Sequence, residues 1–235
     1  MVQVAARMKN QEDPGMRNSL TNSAKTSTGY DSAIAAPSPA DVRAAAEGID
    51  VEVERLDRLV RSVLDLSRIG SGTLAPDLEV HDLTVLVESA IGRARPSLGS
   101  RTVAFEPPTE PWLVLVDPVL LDTAIANVLD NIGPHTPDQT RVEVTIDRPE
   151  PDRVRLTIED DGPGVPDDEL EAIFDRFRRG PTTTSEPGVR RGMGIGLSIV
   201  RGMTEAMGGT ATARRGRLGG LIVSLDLPAA PEPPV

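Results

Sequence analysis

The sequence predicts an α+β fold, a two-layer α/β sandwich in which helices cover one face of a mixed sheet, with a long amphipathic helical segment in front. Three observations carry this. From residue 102 onward, short apolar runs of strand type alternate with segments of helical period. Two of those helical segments open on proline and aspartate, at Asp117-Pro118 and at Pro166-Asp167-Asp168. Proline is tolerated at an early helical position because its missing N–H would have no partner there. No internal repeat runs through the chain, which leaves one sandwich and excludes a solenoid.

The elements follow in order. Residues 1–39 are rich in Ser, Thr, Asn, Ala and Gly and lack apolar periodicity, so they bury too little surface to offset chain entropy and read as disordered. Residues 39–48 predict a short helix with Asp41 near its start. Residues 50–69 predict the clearest helix: Val53, Leu56, Leu59, Val60, Val63, Leu64 and Leu66 recur at three- and four-residue steps. Its other side carries Glu52, Glu54, Arg55, Asp57, Arg58, Arg61 and Asp65, a pattern that suits a coiled-coil-like partner face. Gly70-Ser71-Gly72 stops it. A second amphipathic helix is expected over 83–94. Strands are expected at 102–105 and 112–116, then a helix from Pro118 to about Asn131, stopped by Gly133-Pro134. Strands at 141–147 and 154–159, a helix over 166–177 and a mobile loop over 180–191 come next. A helix over 194–207 and strands at 210–214 and 221–227 close the fold, and 229–235 reads as a frayed Pro-rich tail. The chain thus divides into a disordered segment 1–39, a helical segment 40–72, a domain 73–228 and a tail 229–235.

Composition narrows the chemistry. A net charge of -11 argues against nonspecific nucleic-acid binding, which needs a basic surface. It leaves a triphosphate open, because a few backbone amides and one cation hold such an anion locally. Without cysteine there is no disulfide, thiol catalysis or Cys-ligated zinc. No apolar run approaches the ~20 residues that cross a bilayer, and the N-terminus lacks the apolar core of a signal peptide. The expectation is a soluble, cytoplasmic chain that makes no membrane contact of its own.

Four clusters carry candidate chemistry, and each alone has an ordinary reading beside the functional one. Asn127 and Asn131 are four residues apart and share a helix face. Two neutral oxygens stacked this way suit Mg²⁺ bridging phosphates, or are surface amides. Asp160-Asp161-Gly162-Pro163-Gly164 follows a strand. Asp160 can accept a hydrogen bond from an exocyclic amine such as adenine's, and the glycines admit a flat ligand; otherwise this is a plain turn. Phe174 and Phe177, two of only three phenylalanines, read as core beside Arg176, Arg178 and Arg179, which are phosphate contacts or solvated charges. Gly192-Met193-Gly194-Ile195-Gly196-Leu197 opens a helix and frees backbone N–H groups for an anion. It does not follow a strand of a βαβ unit, so the dinucleotide-binding reading fails.

In that order and spacing the clusters resemble the nucleotide-binding boxes of histidine-kinase-type ATPases, the superfamily of gyrase, the heat-shock chaperone ATPase and mismatch-repair ATPases. The resemblance covers roughly residues 52–228. It implies a Bergerat-type fold and ATP with Mg²⁺ as cofactors. Asn131, helped by Asn127, would hold the metal. Asp160 would read the adenine amine, with Gly162 and Gly164 admitting the base. Gly192, Gly194 and Gly196, with Leu197, would cradle the phosphates, and 178–191 would be the lid. Hydrolysing relatives carry a glutamate at the place of Asn127, so its absence implies phosphoryl transfer to protein. Residues 54–72 resemble the second helix of the family's dimerisation and phosphotransfer hairpin, of which this segment would be a remnant. Their wording is most similar to bacterial potassium-responsive sensor kinases.

Two departures stand out. Ile132-Gly133-Pro134-His135-Thr136 follows the asparagine box, and Pro134 replaces a lysine that often contacts phosphate. His135 matches the ring position beside the nucleotide, or is a helix-terminal histidine on carbonyls. The family's acceptor motif is missing: the only histidines are His81 and His135, and His81-Asp82-Leu83 starts like the motif but is broken by Thr84, Val85 and Leu86. The resemblance therefore implies the ATP-binding catalytic portion of a two-component sensor histidine kinase whose acceptor histidine is missing from this chain. A response-regulator receiver and a homodimer or heterodimer through the helical segment are its implied partners. It would be the cytoplasmic part of a membrane-associated sensor, or a cytoplasmic protein outright. The alternatives are a non-catalytic ATP-binding adaptor acting through its helix and a serine kinase of the anti-sigma-factor type, against which the helix at 50–69 argues.

Overall fold

A computed structural model describes residues 38–177, 194–217 and 219–231. By its contacts the chain divides into residues 1–47 and residues 48–235. Of the first unit only the opening turns of helix α1 (Pro39–Gly70) are described. The expected disorder before residue 38 and the expected loop over 180–191 lie outside the described residues.

Helix α1 corrects the expectation of two helices flanking Gly48: it is one continuous helix. A glycine costs about 1 kcal/mol against alanine in a helix interior. Nothing lies within 4 Å of a Cβ added at Gly48, Ala44-Ala45-Ala46 flank it, and no proline occurs between Ala40 and Gly70. The last turns of α1 dock on the domain that follows, with Leu66 buried in its core and Ile69 packed beside it.

The strand β1 (Glu79–Asp82) was not legible, because Glu-Val-His-Asp carries no apolar alternation. It pairs antiparallel with β3 (Leu113–Val116), His81 opposite Val114. Asp82 caps α2 (Leu83–Leu98) by accepting from Thr84 N at 2.9 Å. The helix runs through Pro96, four residues beyond the expected end. Strand β2 (Thr102–Phe105) follows, and after β3 comes α3 (Pro118–His135). Next are β4 (Arg141–Glu150), β5 (Arg153–Asp160), α4 (Gly196–Ala206), β6 (Thr210–Arg215) and β7 (Leu221–Pro228).

The main sheet has the order β2-β4-β5-β7-β6, with β2 parallel to β4 and the other pairs antiparallel, so it is mixed as expected. Register places Val144 opposite Ile158, Leu156 opposite Leu225 and Ala213 opposite Val223, which makes one apolar face. Helices α2, α3 and α4 contribute Leu83, Leu98, Leu121, Ile125, Leu129, Ile199 and Met203 to the core over it, all fully buried. The other face is polar: Arg155 pairs with Asp226 at 2.6 Å, and Thr157 meets Ser224 at 3.3 Å. This is the two-layer sandwich the alternation predicts.

Two further expectations are corrected. The helix over 166–177 is instead two 3₁₀ turns, Asp167–Glu169 and Ala172–Phe174. So short a segment takes its geometry from what it packs on, here the burial of Phe174 against α4. The tail begins later than residue 229: Ala229 N donates to Asp152 O and Ala230 N to Leu113 O, both at 2.9 Å.

Candidate nucleotide-binding site

Helix α3 starts where Asp117 accepts from Val119 N and Leu120 N, with Pro118 in the first turn. From that start Asn127, Asn131 and His135 fall four residues apart and form one stripe. At 1.5 Å per residue the stripe is about 12 Å long, comparable to the reach from a nucleobase to its phosphates. Its two ends meet different partners.

At the Asn127 end lies the N-terminus of α4. Asn127 Nδ2 donates to Thr123 O at 2.8 Å, which turns Oδ1 toward α4. A Cβ on Gly196 would lie 3.2 Å from that oxygen. Gly194 has φ 70°, a left-handed bend that suits glycine. Ile195 supplies no side-chain cap, and the first intrahelical bond runs from Ile199 N to Ile195 O. The N–H groups of Gly196, Leu197 and Ser198 therefore precede the first helical donor, Ile199 N, and point outward with the positive end of the helix dipole. The Leu197 side chain is core, so its backbone N–H is what it can offer an anion. Gly192, Arg178, Arg179 and the proposed lid lie outside the described residues.

At the His135 end lies Asp160, the last residue of β5, only 7% exposed. Its Oδ1 accepts from Gly162 N at 2.9 Å. Burial pushes its carboxyl pKa up, the N–H groups of Gly162 and Leu221 pull it back, and the neighbouring Asp161 and Glu159 charges raise it further. His135 keeps part of its surface exposed. The protein crowded around its imidazole still disfavours the charged form and lowers its pKa, against the upward pull of Asp160. The Asp160 turn is wedged between two neighbours. A Cβ on Gly162 would sit 2.6 Å from Thr136 Cγ2, and one on Gly220 would sit 1.8 Å from Asp160 O. Gly164, at φ 68°, lies under the carbonyls of Gly219 and Gly220.

The chemistry of these groups suits a nucleotide with a hard cation. Among the described residues no group of three His, Asp or Glu side chains can hold a metal unaided. A cation held here would need the amide oxygens of Asn127 and Asn131 together with phosphate oxygens and water. Beside the site, Phe174 is buried with the Arg201 guanidinium 4.3 Å from its ring centroid, and Arg201 also donates to Glu171 at 2.7 Å. Phe177 is exposed at φ 62°.

The family described as histidine kinase-, DNA gyrase B-, and HSP90-like ATPase matches residues 116–231. The solved mycobacterial sensor histidine kinase MprB is 30% identical, with a TM-score of 0.54 over 65% of this chain and 99% of that one. This chain belongs to that ATPase family. Sensor protein KdpD of Mycobacterium tuberculosis (strain ATCC 25618 / H37Rv) is 34% identical over 203 residues, 83% of this chain and 22% of that protein. The chain thus spans about a fifth of the length of the curated KdpD relatives it matches. A crystal structure of full-length ShkA in complex with AMPPNP is 26% identical, with a TM-score of 0.60 over 80% of this chain and 39% of that one.

In this ATPase domain the structure brings together Asn127 with Gly196, and Asp160 with His135 and Gly162, while Gly164 meets Gly219 and Gly220. It places His81 elsewhere in sequence and fold, on β1, with Nε2 3.4 Å from Glu79 Oε2. Sequence reasoning missed Thr136 and Gly220 as walls of the Asp160 turn. The Gly219-Gly220 pair ahead of a strand was the one available signal for the second.

Proposed function

We propose that residues 73–228 form the ATP·Mg²⁺-binding catalytic domain of a two-component sensor histidine kinase, fronted by residues 40–72 as a partial dimerisation and phosphotransfer segment. Asn131, with Asn127, lends oxygen to Mg²⁺. Asp160 accepts from the adenine amine, Gly162 and Gly164 let the base lie flat, and His135 borders its ring. Gly192, Gly194, Gly196 and Leu197 hold the phosphates by backbone N–H. The supporting observation is one continuous stripe on α3 that ends on a buried carboxylate at one side and on an uncapped helix N-terminus at the other. The nucleotide analogue named with ShkA is in keeping with it.

An amide at position 127 cannot take a proton from water, so the site favours transfer of the γ-phosphoryl group to a protein imidazole over hydrolysis. A neutral histidine nitrogen would attack the γ-phosphorus as its bond to the β–γ bridging oxygen breaks and ADP leaves, and the phosphoryl group would then pass to a receiver aspartate of a response regulator, freeing the histidine. The acceptor histidine is supplied by a partner or by residues beyond this chain. Ile49, Val53, Leu56, Val60 and Val63 of α1 are all more than half exposed and follow a 4-3-4-3 spacing, which supports a homodimer or heterodimer through this helix. Among the described residues no helix is long and apolar enough to cross a membrane, in keeping with a cytoplasmic portion of a sensor.

Incubation with γ-labelled ATP, Mg²⁺ and an added acceptor hairpin tests this. Acid-labile label on the hairpin and none on this chain is expected. Label on this chain would show that it carries its own acceptor. Nucleotide binding without label anywhere would favour the adaptor reading, to which the exposed stripe of α1 also lends itself.

A further inference from the structure

Arg101 sits in the loop between α2 and β2, far in sequence from the nucleotide boxes, yet its side chain is only 9% exposed. Its guanidinium gathers the ends of two helices. Nε donates to Thr136 Oγ1 at 2.9 Å. Nη2 donates to Gly133 O at 2.7 Å and to Thr136 O at 2.5 Å. Nη1 donates to Leu98 O at 3.3 Å and faces Asp138 Oδ1 at 3.7 Å. All the N–H groups of the fork thus point at oxygens, three of them carbonyls at helix C-termini, where a cation is favoured. Thr136 accepts this bond while its own hydroxyl donates to Ile132 O at 2.8 Å, so its rotamer is fixed from both sides.

The fixed rotamer matters because of where the Thr136 methyl lies. It occupies the space that a Cβ on Gly162 would enter, 2.6 Å away. Gly162 N in turn donates to Asp160 Oδ1 at 2.9 Å. The last turn of helix α3 carries Gly133-Pro134, where proline brings no N–H of its own. Arg101 adds donors to the carbonyls of that turn, beside the bond from Thr136 N to Ile132 O.

We infer that Arg101 is a positioning residue for the adenine end of the site: by locking Thr136 against Gly162 it fixes the carboxylate of Asp160. The inference rests on the reading of Asp160 as the adenine contact. Lysine cannot replace it, because an ammonium offers three donors and no planar fork.

The test is calorimetric competition between ATP and GTP on the full chain with Mg²⁺. The wild type is expected to prefer ATP. Arg101→Lys should shrink that preference about tenfold, the scale of a charge-assisted hydrogen bond lost. Thr136→Val keeps one methyl and exchanges the hydroxyl for a second, so it guards against an Arg101 variant that fails to fold, and should shrink the preference in the same direction. Asp138→Asn, at an 85% exposed carboxylate, should leave it unchanged. Folded variants that lose ATP and GTP equally, or neither, overturn the role of Arg101 while leaving the site intact. A wild type that binds ATP without preference over GTP overturns the Asp160 reading itself, and this inference with it.

Discussion

Asp160 sits where burial disfavours its charge, and backbone N–H groups of Gly162 and Leu221 bond its carboxyl. Its raised pKa means the folded protein holds that proton more tightly than the unfolded chain. Its contribution to stability therefore declines as pH rises from the ordinary carboxylate pKa, about 3.9, through the raised one. Nucleotide binding is expected to run the other way, because the carboxylate accepts from an amine more strongly than the protonated acid does. Affinity for ATP should fall on acidification at a higher pH than an ordinary aspartate would give, and Asp160→Asn should bind weakly with that dependence gone. The Tm of Asp160→Asn minus that of the wild type should rise with pH through this window; a flat difference would mean that Asp160 is not held in the way described. Gly162→Ala should weaken ATP binding about tenfold or more, read by calorimetry, since its methyl meets both Thr136 Cγ2 and Asp160 Oδ1 within 3 Å. Asn127, Asn131 and Asp160 could be proposed from the sequence because the chemistry asked of them resides in the side chain and its spacing. Arg101, Thr136 and Gly220 could not, because their contacts join chain segments more than twenty residues apart.

Helix α1 joins a solvent-facing stripe to a docked end. Leu56→Lys or Val60→Lys should abolish self-association measured by sedimentation while leaving ATP affinity unchanged, because both side chains are exposed and distant in sequence from the site. The docked end behaves differently. A methyl at Gly202 would lie 2.5 Å from Ile69 Cγ2, the end of a flexible side chain, so Gly202→Ala should displace Ile69 and loosen α1 from α4. The expected cost is about 1–3 kcal/mol in denaturant unfolding. Elements with strong period were legible, including α3, α4 and the β4–β5 pair. β1 was hidden by its polar composition. The segment over 166–177 was read as helix from local pattern, whereas the burial of Phe174 beneath Arg201 decides its shape.

For the molecule as a whole, a mixed sheet with its apolar face under three helices leaves the stripe of α3 free to face the Asp160 turn and the start of α4. Ligand that binds only the folded state stabilises it, by about 2.7 kcal/mol at a hundredfold excess over Kd. ATP with Mg²⁺ should therefore raise the Tm of the full chain by several degrees. The alternation of strands and helices made this architecture readable, since each half-buried element admits few ways to cover its apolar face. The most direct measurement is a calorimetric titration of ATP with Mg²⁺ into the wild type and Asp160→Asn, both shown to be folded. Saturable binding at one site per chain, strongly weakened in the variant, is the predicted result. Equal binding to both, or none to the wild type, would contradict a nucleotide site at this turn.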